Sequence, residues 1–374
     1  MGRGSIRIGR LAGIPIGVQP LWILVVALIT WSLGAVYYPD QVDGIAPVAA
    51  YGLGLLSALL LFASILLHEL GHSLVARRNG VEIEEIDLWL LGGVARMAGY
   101  PKTAGAELRF AIAGPAVTLA IALFFGVLAL ALPDSAPAAL QAVVEYQAFV
   151  NLSILVFNLL PAFPLDGGRV ARALIWGRSG DITRATRLAA SIGRGFGYAM
   201  IALGAVGAVA GAFGGIWLAA AGFFVVVAAR AEENGLRVRV AVSGREAGRL
   251  MSFPAVTIPA DTSLEDAVQH YFIPHRHPAF PVVEGGRVVG LVDRRSIEQV
   301  PAARRASTRV GEVANRNPSL LIDEHQDVAE LLERPAFQEV GRAVVRSAGD
   351  QVGIISITDV EELMRALELA SKAR

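Results

Sequence analysis

The chain has 374 residues, 54% of them hydrophobic and only 18% charged, with a formal net charge of +0 and a mean hydropathy of +0.53. That composition is too apolar for an ordinary soluble protein of this length. The balanced charge, with no basic-aromatic patch, gives no reason to expect nucleic acid as a partner, and the absence of cysteine excludes disulfides and thiolate metal ligands.

Uncharged runs of about 18 or more residues predict membrane-spanning helices, and nearly all of them precede Arg230. The first runs from Leu11 to Pro39, with Pro20 near its start. Arg3, Arg7 and Arg10 precede it without a clean cleavage site, so it reads as a retained helix rather than a signal peptide. Tyr51 to Leu67 predicts the second, Phe110 to Pro133 the third and Tyr146 to Leu165 the fourth. Gly195 to Ala229 is too long for one span. A glycine-rich break at Gly211 to Gly215 divides it into a fifth helix, starting near Leu188, and a sixth. Two segments alternate like strands: SIRIGRLAGIPIGV before the first helix and VEIEEIDLWLLGGVARMAG between the second and third. They read either as cytoplasmic loop or as a small sheet at the membrane face, whose edge can receive an extended peptide.

Loop charge gives the orientation. The loops after helices one and three carry Asp40, Asp43, Asp134 and Glu145 and no basic residue. The segment between helices four and five carries Arg169, Arg172, Arg178, Arg184, Arg187 and Arg194. Six spans then put both termini in the cytoplasm of a multi-pass protein of the cell membrane.

Past Arg230 charges recur every few residues, and a repeat appears. FPAVTIPADTSLEDAV resembles NPSLLIDEHQDVAELL, and GGRVVGLVDRRSI resembles GDQVGIISITDV, at offsets of about 64 and 63 residues. The expected fold is a polytopic α-helical membrane protein of about six spans with a small β element, followed by a paired α/β module. The boundaries are 1–230, 243–303 and 307–370.

The chemistry concentrates where helix two ends. His68-Glu69-Leu70-Gly71-His72 is an H-E-x-x-H pattern. On a helix both imidazoles share a face and can bind one metal ion, while Glu69 can reach a water on that ion. Outside a membrane the pattern is moderate evidence. Inside an apolar run each charged group costs about 2.5–3.5 kcal/mol on insertion scales, which favours a functional use over a wet helix end. Zinc suits nitrogen and oxygen ligands and, when catalytic, wants an open position and a third protein ligand. The other four histidines, His270, His275, His277 and His325, lie in the charged part. A solvated loop is the expected state of His275 to His277. The third ligand should therefore be an acid. Glu145 belongs to the acidic side, whereas Asp166 lies on the basic side, towards which helix two runs. Around Asp166, in NLLPAFPLDGGR, Pro161 and Pro164 break the helix and Gly167 and Gly168 permit a tight turn; the plainer reading is a surface loop.

His68 to His72 together with NLLPAFPLDGGR resembles the site-2 protease family of intramembrane zinc proteases, and LLGGVARM and Ala113-Gly114-Pro115 resemble further segments of it. The resemblance spans nearly all of residues 1–230. It implies zinc held by His68, His72 and Asp166, Glu69 as general base, Asn158 binding the scissile carbonyl, and a transmembrane segment of another protein in the bilayer as substrate. Many relatives carry an asparagine where this chain has Thr118, which leaves a supporting role on helix three open. The repeat resembles a cystathionine-β-synthase (CBS) domain pair. That family's Gly-x-x-Ser/Thr-x-x-Asp turn is met by Gly353, Ser356 and Asp359; the first copy departs, with Asp293 and Ser296. The resemblance implies an adenine nucleotide as ligand, or else a structural module, and pairing into a homodimer. Two rival readings remain at this point: a CBS-regulated metal-ion transporter using the histidines, and an inactive helix-binding scaffold.

Overall fold

The computed structural model describes residues 5–372 except 90, 91, 100, 213 and 348–350. Arg3, Leu90 and Leu91 of the second strand segment, and Gly349 and Asp350 of the repeat lie outside the described residues. The chain forms two compact units, Met1–Gly235 and Leu236–Arg374.

In the first unit the apolar run from Leu11 is not one helix. It opens as a hairpin, β1 (Ile6–Leu11) and β2 (Ile14–Val18). The alternating Ile14, Ile16 and Val18 are buried, a period of two that suits a half-buried strand. Pro20 then starts α1 (Leu21–Ser32), which passes through a wide turn at Leu33–Tyr37 into α2 (Tyr38–Gln41). The long α3 (Pro47–Arg78) carries the H-E-x-x-H pattern near its C-terminal end. β3 (Glu82–Trp89) and β4 (Gly92–Ala98) follow. The four strands form one sheet in the order β1-β2-β3-β4, with β2 and β3 parallel and Ile16 opposite Ile86. Ile14, Ile16, Val81, Ile83 and Ile86 pack with Leu70, Ala76 and Phe110, so the sheet is fastened beside the motif.

Four more helices complete six membrane spans. α4 (Ala104–Ala131) begins before the expected Phe110, because Thr103 caps it by accepting from the Ala106 N–H and Glu107 and Arg109 lie inside it. α5 (Ala138–Asn158) corrects the fourth span, expected over Tyr146 to Leu165. Glu145 is tolerated on an exposed face, and Pro161 prevents continuation. Asp166 accordingly opens α6 (Asp166–Ser179) rather than closing α5. α7 (Ile182–Val209) starts earlier than Leu188, where Asp181 caps it by accepting from the Arg184 N–H. α8 (Gly214–Val242) outlasts its apolar stretch, which ends near Ala229.

The second unit contains two three-stranded sheets of the same design. β5 (Ile258–Pro259) is parallel to β6 (Ala279–Glu284), which is antiparallel to β7 (Arg287–Asp293). β8 (Leu321–Asp323) is parallel to β9 (Arg342–Arg346), which is antiparallel to β10 (Val352–Ser356). The halves are laced reciprocally: Ser252, before the first copy, bridges Ile354 in the second, and Asn315, before the second copy, bridges Leu291 in the first. Ala279, Leu291 and Val344 share one buried cluster, so the repeat closes on itself.

Candidate active site

His68 and His72 lie on one face of α3, as four-residue spacing requires, and both are buried. Asp166, at the first turn of α6, meets them. His68 Nε2 is 3.1 Å from Asp166 Oδ2 and His72 Nε2 is 3.3 Å from Asp166 Oδ1. The two Nε2 atoms are 3.1 Å apart. One ligand atom from each of the three residues falls within 4.8 Å of the others, the one such group among the described residues.

The other ring nitrogens fix the tautomers. His72 Nδ1 is 2.7 Å from the Phe110 carbonyl oxygen, which can only accept, so Nδ1 carries a proton. His68 Nδ1 is 2.8 Å from Thr118 Oγ1. The Thr118 hydroxyl donates to the Gly114 carbonyl at 3.3 Å and so accepts from His68. Both Nε2 lone pairs therefore turn towards a carboxylate, an arrangement that needs a proton or cation between its members. A nitrogen-nitrogen-oxygen set with the outer nitrogens bonded to an acceptor is the usual design of a zinc site, and the donor set fits that ion. Gly114 keeps the space open: a Cβ there would stand 2.6 Å from His68 Nε2. Gly71 lets the helices approach, since a Cβ on it would lie 2.9 Å from the Ala113 carbonyl oxygen.

Glu69 faces the other strand segment. A backbone hydrogen bond from Ala95 of β4 reaches its carboxylate, and a Cβ on Gly93 would collide with its side chain. Beside these groups lies a cavity of about 900 Å³ whose wall includes His68, Glu69, Asp166 and Asn158, the last residue of α5. Trp89, Phe157 and Trp217 make much of it apolar. Sequence reasoning missed Thr118 as the partner of His68, having noted only that an asparagine was absent there. It also missed a buried ion network. Arg172 of α6 donates through Nε to Glu107 of α4 at 2.6 Å and through Nη1 to Glu232 of α8 at 2.8 Å, with its guanidinium 4.9 Å over the Phe163 ring. The arginines of the basic segment read as loop charge, and their partners Glu107 and Glu232 lie far from them in the sequence.

The profile of Peptidase family M50 matches residues 56–134 and 126–203, and that of the CBS domain matches residues 247–301. Rip3 of Mycobacterium tuberculosis is 40% identical over 98% of this chain and 95% of its own. The chain belongs to peptidase family M50, the site-2 proteases. A zinc metalloprotease of Methanocaldococcus jannaschii is 30% identical over 99% of this chain and 99% of its own. A solved site-2 protease from that organism is 31% identical, with 61% of this chain and 95% of that one covered and a TM-score of 0.40. This M50 member is a multi-pass intramembrane peptidase with a CBS module. Membership leaves the transporter reading without support.

The residues singled out in the CBS repeat belong to the second unit. Ser356 and Asp359 form a mutual pair: Asp359 Oδ2 accepts from the Ser356 N–H and hydroxyl, each at 2.7 Å, and Oδ1 accepts from Ser252 at 3.3 Å. The first copy reverses the two types. Asp293 Oδ1 accepts from the Ser296 N–H at 2.8 Å and hydroxyl at 2.6 Å. The sequence departure is thus the same pair with its ends exchanged. His275, which ends a one-turn helix (Ile273–His275) rather than lying in a loop, and His277 are both exposed and stack 6.2 Å apart between ring centroids.

Proposed function

We propose that this peptidase hydrolyses a peptide bond in a transmembrane segment of another membrane protein, with His68, His72 and Asp166 holding one zinc ion. The observation that carries the reading is the convergence of two tautomerically fixed imidazoles and a carboxylate beside Glu69, at the wall of a largely apolar cavity. Zinc, when bound, supplies Lewis acidity that brings the pKa of water to about 7 and polarises a carbonyl. Glu69, held by the Ala95 N–H, takes a proton from the attacking water and returns it to the leaving amine. Asn158 donates from its side-chain amide to the carbonyl oxygen as charge builds there. A helix hides its peptide bonds, so the substrate must be locally extended. β4 stands at the edge of the sheet next to Glu69, which already engages the Ala95 N–H, and the rest of that edge is where a substrate strand would pair.

The basic Arg169–Arg194 stretch and both termini are cytoplasmic in this reading, by the inside preference of basic loops. The 1–230 span carries catalysis, and 243–303 and 307–370 act as a CBS pair that modulates it and joins two chains into a homodimer. An adenine nucleotide would bind at Ser356 and Asp359, or at their counterparts Asp293 and Ser296. Both oxygens of Asp359 must then exchange their present partners for ribose hydroxyls.

The deciding experiment measures zinc content and cleavage of a membrane-helix substrate together. His72→Ala and Asp166→Ala should lose both. Glu69→Gln should keep its zinc and lose cleavage by more than the roughly 10²–10⁴-fold of a simple general base, since Glu69 also serves as acid. Near-parental cleavage by Glu69→Gln would overturn the mechanism, and full zinc in Asp166→Ala would remove it as third ligand.

A further inference from the structure

The polar residues of α5 do not end with Asn158. Gln147 and Asn151 precede it at helical spacings that put all three on one side. Gln147 is fully buried and its amide donates to the Ser57 carbonyl at 2.9 Å. Asn151 is also fully buried, and its Nδ2 donates to the Gln147 carbonyl at 2.9 Å. Its Oδ1 has no hydrogen-bond partner, yet Asn151 belongs to the wall of the catalytic cavity, together with Ser64 and Thr118. A buried acceptor left unmatched is costly; Oδ1 has under 1 Å² of accessible surface, so a donor entering the cavity matches it once the Asn151 side chain turns towards the cavity that it lines.

From this we infer that Asn151 is a specificity-determining residue, a subsite that selects substrate segments carrying a hydrogen-bond-donating side chain (Ser, Thr, Asn or Gln) a few residues from the scissile bond. The inference rests on the proteolytic reading above. The position follows from the helix. Asn151 and Asn158 are two turns apart, about 10 Å along the axis. An extended peptide covers that in about three residues. A donor in a lipid-embedded segment has few partners elsewhere, so the match also helps to draw an unwound stretch into the cavity.

The test uses the full-length protein in detergent and one transmembrane segment whose scissile bond has been mapped by mass spectrometry. Threonine, or its near-isostere valine, is substituted at each position on either side of that bond. The parent enzyme should show a Thr-over-Val ratio of kcat/KM that peaks about three residues away, at roughly tenfold, the scale of one buried acceptor satisfied or left bare. In Asn151→Leu the peak should flatten to a ratio near 1, with zinc content unchanged. Asn151→Asp, which keeps an acceptor, should retain it. Asn151→Ala gives the same readout if the leucine variant fails to load zinc. A flat profile in the parent, or an unchanged peak in Asn151→Leu, overturns the inference while leaving the protease intact. A parent that cuts neither series overturns the protease reading and this inference with it.

Discussion

Replacing Gly114 with alanine separates the geometry of the site from the stability of the fold. Gly114 lies inside α4, against the His68 and His72 Nε2 atoms of α3. A methyl group there would stand 2.6 Å from His68 Nε2 and nearer still to His72 Nε2, where ordinary contact begins at 3.4 Å. One ring at least must withdraw by about 1 Å, and a displacement of that size costs on the order of 10²-fold in rate. The rings cannot simply swing aside, because their Nδ1 atoms are tied to Thr118 and to the Phe110 carbonyl. The helix itself gains, since alanine is favoured over glycine in a helix interior by about 1 kcal/mol. Displacing a tied ring costs about 1–3 kcal/mol, which the helix gain partly offsets, so the expected result is a metal-free variant that melts close to or slightly below the metal-free parent, binds zinc at least 10- to 100-fold more weakly, and cleaves correspondingly less. Zinc per chain after equilibration in a zinc-buffered solution, beside thermal unfolding of the stripped proteins, reads both sides. A Gly114→Ala protein with parental zinc affinity would refute the convergence of the two imidazoles beside α4.

Two further outcomes follow from the surroundings of the site. Thr118→Val keeps the shape but removes the acceptor for His68 Nδ1, and should weaken zinc binding by roughly 10- to 100-fold; Thr118→Asn, which restores an acceptor, should recover most of it, and no loss in the valine variant would reduce Thr118 to packing. Arg172→Met leaves Glu107 buried without its cation and should destabilise the protein by about 3–5 kcal/mol. The pair Arg172→Met with Glu107→Gln should be less damaged than Arg172→Met alone when unfolding is followed by denaturant titration, and equal damage would mean that the ion pair is not what holds α4 to α6.

Most of the helical plan could be read from the sequence because lipid leaves few alternatives: an uncharged run must bury its backbone polar groups in helices. The errors fall where that rule is silent. The stretch from Leu11 to Val18 is as apolar as a span, but its alternation, with Ile14 and Ile16 buried against the sheet, belongs to strands. Charge is rare in spans, which assigns Glu145 to a loop, yet it sits exposed on α5. Thr118 could not be assigned, because its role depends on which atom of His68 faces it, and that is set by the packing of α3 on α4. Asn151 was invisible for the same reason: an asparagine in an apolar run gives no hint of which of its atoms is left unpaired.

Asp166 was expected at the level of the histidines because of loop charge and span count, a coarse argument that fixes depth but not direction. The direction comes from the local chain. Had α5 continued, as an unbroken apolar run would suggest, Asp166 would sit wherever the helical phase carried it. Instead the chain turns back after Asn158. Gly167 and Gly168 are in tight contact with it there: a Cβ on Gly167 would overlap the Leu159 and Leu160 carbonyls, and one on Gly168 would lie 2.6 Å from the Ala162 carbonyl carbon. Only glycine allows that approach, which makes the pair a steric requirement of the turn. The turn in turn lets Asp166 begin a new helix. A carboxylate in a first helical turn is favoured by the positive end of the helix dipole, which helps to offset the burial of its charge. The same few residues thus end one helix, start another and bring the Asp166 carboxylate to the two histidines, while Asn158 remains at the cavity wall. The meeting of Asp166 with His68 and His72 requires this interruption of the span, and a continuous apolar helix could not supply it.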